Sequence, residues 1–207
     1  MILKMLTVGF IATNCYLVGS DKTGKGMVID PGAESKLILK HIENLGLKIE
    51  WIVLTHSHFD HTGSVSAIKD ATNARFAVGA DTSKAGPGAF VKLMAAMSGG
   101  SAKIPEPDRM LNDGDVLEID DLSFRVIATP GHSMDGICLY GHGVLFSGDT
   151  LFNQGIGRTD FPGCSEEQLF HSIKKKLYVL PDSTVVYPGH GPETTIGDEK
   201  ALNPFVR

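Results

Sequence analysis

The chain has 207 residues, of which 42% are hydrophobic and 21% charged, enough for one domain with a substantial core. Its formal net charge is −5, and without a concentrated positive surface we do not expect it to bind nucleic acid. No stretch approaches the roughly 20 apolar residues of a membrane span, and residues 1–9 lack the apolar core of a signal peptide, so we expect a soluble, cytoplasmic protein.

The first part of the chain is predicted to alternate short strands with helices. Strands are predicted from β-rich or continuously apolar runs at residues 2–8, 14–18, 27–29, 51–54 and 75–78. Apolar residues at helical spacing predict a helix over 34–45, which Gly46 caps, and a second helix is predicted over 64–71.

The second part is predicted to be richer in hairpins. Residues 87–97 form an apolar segment between glycines, which predicts a helix. This helix would pack in the core, cover a pocket as a lid or contact another subunit. Strands are predicted at 116–119, 122–128, 136–140, 144–147 and 184–187. Ser165 with Gln168 predicts a capped start for a helix over 166–177. This order fits an α/β sandwich of two sheets covered by helices, although periodicity alone also allows one doubly wound sheet.

Four potential metal ligands occupy six consecutive positions: His56, His58, Asp60 and His61. In an extended segment His56 and His58 point to the same side and can share one metal ion. A bend at Asp60 would direct it and His61 towards a second ion. Imidazole and carboxylate ligands suit zinc, iron or manganese, and no cysteine lies nearby to suggest a structural zinc site.

Three further ligand-type residues each follow a strand and a glycine: His132, Asp149 and His190. A buried imidazole or carboxylate at such a place is costly unless it is paired or bound to metal. Together with the first cluster they make five histidines and two aspartates, enough for two metal ions. The cysteines, in contrast, form no CxxC pair, and no disulfide framework is expected.

The run His-Ser-His-Phe-Asp-His at 56–61 matches the HxHxDH signature of the metallo-β-lactamase superfamily, and the resemblance extends from Asn14 to Phe205. It implies a single domain over 1–207 with a four-layer αββα sandwich. It also implies one metal ion on His56, His58 and His132. The second ion would take Asp60, His61 and His190, with Asp149 bridging the two.

Asp30 resembles the aspartate with which this family accepts the free N–H of a metal-bound imidazole. The alternative is that Asp30 only begins an Asp-Pro-Gly turn.

Two such metal ions imply hydrolysis. They lower the pKa of a shared water towards roughly 7, so that a metal-bound hydroxide attacks a carbonyl at neutral pH, while Asp60 orients the nucleophile. A thiolate leaves readily because the pKa of its conjugate acid is about 8.5, so a thioester needs no dedicated general acid.

The runs at 157–163 and 188–192 resemble the compact glyoxalase II-like group, which hydrolyses hydroxyacylglutathione thioesters such as S-lactoylglutathione. The resemblance implies a small-molecule thioester substrate and two divalent ions, zinc first, with iron or manganese as alternatives. Arg158 is a candidate partner for a glutathione carboxylate, unless it forms a salt bridge with Asp160 or another acid.

The chain stops 17 residues after His190 and is expected to lack the C-terminal helical extension that supplies much of the glutathione pocket in larger members of the group. Persulfide dioxygenases, which use a single iron held by two histidines and one aspartate, resemble the same region and are the alternative function. The oligomeric state is not predicted.

Overall fold

The computed structural model describes residues 1–80, 104–161 and 163–206. The helix predicted over 87–97 lies outside these residues. The described strands form two six-stranded sheets and one small hairpin.

The first sheet is built from the first half of the chain. Its spatial order is the chain order: β1 (Ile2–Val8), β2 (Thr13–Gly19), β3 (Lys25–Ile29), β4 (Lys48–Val53), β5 (Arg75–Gly79) and β6 (Arg109–Leu111). The first three strands pair antiparallel, and the pairs from β3 to β6 are parallel. The carboxyl ends of these parallel strands therefore meet at one edge, and the His-rich cluster begins just after β4 ends there.

The second sheet comes from the second half of the chain. Its strands are β7 (Val116–Ile119), β8 (Leu122–Ala128), β9 (Ile137–Gly141), β10 (Val144–Gly148), β13 (Val185–Pro188) and β14 (Thr194–Thr195). The spatial order is β14-β13-β10-β9-β8-β7, and β10 pairs parallel with β13. Because β8 runs in the same direction as these two strands, all three end at one edge. The hairpin β11 (Leu151–Phe152) and β12 (Gly155–Ile156) follows β10.

Five α-helices are described: α1 (Ser35–Asn44), α2 (Phe59–Thr62), α3 (Val65–Thr72), α4 (Glu166–Ser172) and α5 (Ile196–Leu202). The chain leaves α4 through a π-helical turn, Ile173–Leu177. Ser165 Oγ accepts a hydrogen bond from the backbone N–H of Gln168 at 3.3 Å, as predicted for the capped start of α4. None of the helices in the described ranges has the length and apolar character needed to cross a bilayer.

Three clusters of buried apolar side chains separate the layers. One lies under α1 and α3 and includes Ile38 and Ile68. A second fills the space between the two sheets around Trp51 and Phe124, and the third lies under α4 and α5 around Leu169. The order helix, sheet, sheet, helix confirms the predicted αββα sandwich, and the alternative of one doubly wound sheet is wrong.

Several short elements were not predicted: α2, α5, β6, β11, β12 and β14. Most of them span two to four residues, which is too short for a hydrophobic period to show. Strand β4 also begins at Lys48, earlier than the predicted start at residue 51, because polar residues at its entrance still pair with β3.

Candidate metal centre

The His-rich cluster does not continue as a strand. After β4 ends at Val53 the chain is irregular, and His58, with φ −64° and ψ 147°, caps the one-turn helix α2. This helix carries Asp60 and His61, so the bend expected at these residues is a helical turn. The turn places His56 and His58 in one group of ligand atoms and Asp60 and His61 in a second group.

The first group consists of His56, His58 and His132, whose ligand atoms lie within 4.8 Å of one another. His58 Nδ1 is 2.9 Å from His132 Nε2. Burial lowers the pKa of His56 well below its usual value and that of His58 to about 4, and burial also lowers the pKa of His132. All three imidazoles are therefore neutral at pH 7, which is the form that binds metal.

The second group consists of Asp60, His61 and His190, again within 4.8 Å of one another. Asp60 Oδ2 lies 3.2 Å from His190 Nε2 and 3.5 Å from His61 Nε2. Burial alone would lower the pKa of His61, but the carboxylates around it, Asp30 first and then Asp149, raise it to about 10. At pH 7 the metal-free His61 is therefore protonated, and a metal ion bound at its Nε2 would displace that proton.

Asp149 lies between the two groups. Its Oδ2 is 3.5 Å from His132 Nε2 and 3.6 Å from His190 Nε2, and its Oδ1 is 3.5 Å from His61 Nε2. One carboxylate is therefore within reach of both groups.

The donor atoms fit divalent metal ions. Among the described residues, His56 Nε2, His61 Nε2 and Asp149 Oδ1 are buried and have no hydrogen-bond partner. An unsatisfied buried polar atom costs about 1–3 kcal/mol, and these three atoms belong to side chains whose ligand atoms converge within 4.8 Å. Divalent ions bound in the two ligand groups, with Asp149 within reach of both, would satisfy all three.

The turn that carries His190 is held by strand β2. The Asn14 side-chain amide donates to the carbonyl oxygens of Pro188 (3.0 Å) and Gly191 (2.8 Å), and the Tyr16 hydroxyl donates to Pro188 O at 2.6 Å. The sequence did not indicate these roles, although polar side chains such as Asn14 and Tyr16 in a fully buried strand were a usable signal.

Asp60 is also fixed by β2. Thr13 Oγ1 donates to Asp60 Oδ2 at 3.1 Å. Burial opposes ionisation of Asp60, but the hydrogen bond from His190 and the charge of His61 outweigh it and hold the pKa of this carboxyl far below its usual range. Asp60 is therefore a carboxylate and accepts hydrogen bonds only.

Asp30 lies beside the imidazole of His61. It is 1% exposed, and its Oδ2 is 3.0 Å from His61 Nδ1. Its Oδ1 accepts a hydrogen bond from the backbone N–H of Thr55 at 2.7 Å. Asp30 therefore does more than begin a turn, because its carboxylate contacts both Thr55, just after β4, and His61 in α2.

Arg158 is engaged with its neighbour. Its Nε and Nη2 donate to Asp160 Oδ1 and Oδ2, both at 2.7 Å, and its guanidinium lies 4.0 Å from the ring centroid of Phe161. This is the salt bridge considered as the alternative to substrate binding. The backbone of Arg158 has a role that the sequence did not indicate: its carbonyl oxygen lies 2.8 Å from His132 Nδ1 and leaves His132 Nε2 to face the metal centre.

The fold agrees with comparisons to known proteins. Residues 8–190 match the family model of the metallo-β-lactamase superfamily. The chain belongs to this superfamily, and its activity is that of a metal-dependent hydrolase binding divalent ions.

Among its relatives, hydroxyacylglutathione hydrolase GloC of Haemophilus influenzae is 36% identical, over 100% of this chain and 98% of that protein. The crystal structure of the BLEG-1 B3 metallo-beta-lactamase is 35% identical, with a TM-score of 0.90 over 99% of both chains. The structure of TTHA1623 in a di-iron-bound form is also 35% identical, with a TM-score of 0.86 over 98% of this chain and 100% of the other.

Proposed function

We propose that the protein is a dinuclear-metal hydrolase that cleaves thioesters such as S-lactoylglutathione. The observation that carries the proposal is the pair of three-residue ligand groups with Asp149 within reach of both. The similarity to GloC over the whole chain supports a hydroxyacylglutathione thioester as the first substrate to test.

In this proposal His56, His58 and His132 hold one ion, and the second group (Asp60, His61 and His190) holds the other. Zinc is the first choice, and the di-iron form of TTHA1623 supports iron as the alternative. When bound, such ions polarise a carbonyl and make hydroxide available near neutral pH.

The chain itself orients the reactants. The ionised Asp60, fixed by the Thr13 hydroxyl, is a hydrogen-bond acceptor that orients the attacking nucleophile. The departing thiolate needs no proton from the protein, because the pKa of a thiol is about 8.5. This explains why a thioester suits the site better than an amide, whose nitrogen must be protonated as it leaves.

We propose that the Arg158 guanidinium leaves Asp160 and forms an ion pair with a carboxylate of the substrate. The side chains of both residues are more than half exposed, and an exposed ion pair is worth about 0–1 kcal/mol, so the exchange costs little. The Arg158→Ala variant is expected to raise KM for S-lactoylglutathione about tenfold, as for the loss of a charge-assisted contact of ~1.4 kcal/mol. A thioester of an uncharged thiol should show no change in KM, and equal changes for both substrates would contradict this role.

The function is tested with a panel of acyl thioesters and a lactone, using protein loaded with zinc, iron or manganese. We expect two metal ions per chain and hydrolysis of S-lactoylglutathione, and loss of this activity in a His58→Ala variant that keeps its circular dichroism spectrum. One iron per chain with rapid oxygen uptake on glutathione persulfide would replace the hydrolase by the dioxygenase alternative.

A further inference from the structure

We propose that the Thr55 hydroxyl is a positioning group that fixes the imidazole of His56. Through Asp30 it also connects the two ligand groups. The inference rests on the ligand set of the proposed function.

Three buried side chains form a short chain of contacts. Thr55 Oγ1 is 2.7 Å from Asp30 Oδ2 and 3.1 Å from His56 Nδ1. The three residues are between 1% and 3% exposed, so water does not compete for these contacts.

The direction of the hydrogen bonds follows from the number of protons. A carboxylate only accepts, and a hydroxyl has a single proton to donate. The Thr55 hydroxyl therefore donates to Asp30, its nearer neighbour, and its lone pair accepts the N–H of His56 Nδ1. This requires the His56 tautomer with its proton on Nδ1.

That tautomer leaves the lone pair on His56 Nε2. This atom is buried and has no hydrogen-bond partner among the described residues, and His56 belongs to the group with His58 and His132. The Thr55 hydroxyl thus turns the ligand nitrogen of His56 towards the metal centre.

The Asp30 carboxylate also contacts a ligand of the second group. Asp30 Oδ2, which accepts from Thr55, also lies 3.0 Å from Nδ1 of His61. Asp30 therefore acts on a ligand of the second group directly and on a ligand of the first group through Thr55. Loss of the Asp30 carboxylate should weaken both groups, whereas loss of the Thr55 hydroxyl should weaken only the first.

A merely structural Thr55 is the alternative, because its backbone N–H also donates to Asp30 Oδ1 at 2.7 Å. The variants separate the two roles. Thr55→Val keeps this backbone bond and most of the side-chain volume but removes the hydroxyl. Thr55→Ser restores the hydroxyl. Thr184→Val is the matched control, since Thr184 is buried and its hydroxyl has no hydrogen-bond partner in the described structure.

The experiment measures zinc retained per full-length chain during titration with a chelator, together with the melting temperature. Thr55→Val is expected to lower the affinity for one of two zinc ions by about 10–100-fold, the usual effect of removing a partner of a metal ligand. Thr55→Ser and Thr184→Val should retain both ions, and Asp30→Asn should weaken both. Retention of both ions by Thr55→Val with unchanged affinity would overturn the inference.

Nitrogen-15 NMR of the histidines gives a second readout. We expect His56 to be protonated on Nδ1 in the wild type and in Thr55→Ser. Protonation on Nε2 in metal-free protein would overturn the inference without reference to activity. Failure of the wild type to bind two ions would instead reject the proposed function, and the NMR result would still decide the role of Thr55.

Discussion

Replacement of Gly189 by alanine tests whether the close approach of the 188–191 turn to Asp149 and His61 fixes the geometry of the metal centre. A Cβ at this position would lie 2.2 Å from Asp149 Oδ1 and 2.9 Å from His61 Cε1. Restoring an ordinary contact requires Asp149 or the 188–191 turn to move by about 1 Å, and a misplacement of that size costs on the order of 100-fold in rate. We expect Gly189→Ala to reduce kcat for a thioester by about this factor and to bind less metal.

The assay is steady-state thioester hydrolysis with the metal content measured on the same samples. Gly155→Ala is the control, because a Cβ there has its nearest neighbour at 3.5 Å, an ordinary contact, and its kcat should stay within about twofold of the wild type. If Gly189→Ala kept wild-type kcat and both metal ions, the close approach of this turn to Asp149 would not constrain the site.

Three other changes test the surroundings of the site. Tyr16→Phe removes the hydrogen bond to Pro188 O and should lower the free energy of unfolding by about 1 kcal/mol; an unchanged urea midpoint would contradict this. Ser165→Ala removes the cap of α4 and should also cost about 1 kcal/mol in urea denaturation while leaving kcat unchanged, and a large loss of activity would refute a purely structural cap. In metal-free protein the pKa of His58 is about 4 when folded and 6.5 when unfolded, so only the unfolded chain gains a proton between these values. The free energy of unfolding should therefore fall as pH is lowered from 6.5 to 4, and His58→Gln should flatten that dependence; a slope unchanged in the variant would show that other groups cause it.

The sequence predicted most of the strands and identified the side chains that the structure brings together. The most informative residues were those whose type and spacing indicate metal binding: the HxHxDH run and three ligand-type residues placed after strands. These residues were grouped because of their chemistry and their family resemblance, and the structure places all seven side chains around one centre.

The contacts that support the ligand side chains could not be predicted from the sequence, because they join residues that only the folded backbone brings together. The Arg158 carbonyl meets His132 across 26 residues, and Tyr16 meets Pro188 across 172. Any residue type has a carbonyl oxygen, so no pattern marks the one that orients His132. Helix α2 was not predicted for a different reason, because its four residues are too few for a hydrophobic period to show.

Each ligand group takes residues from both halves of the molecule. His56 and His58 follow a strand of the first sheet and His132 one of the second; Asp60 and His61 are likewise joined by His190. Ions bound as proposed would therefore cross-link the two sheets, in addition to the apolar packing between them and the hydrogen bonds of Asn14 and Tyr16 to the 188–191 turn. Because ligands that bind only the folded state stabilise it by mass action, the supply of metal would set the free energy of unfolding of the protein as well as its activity.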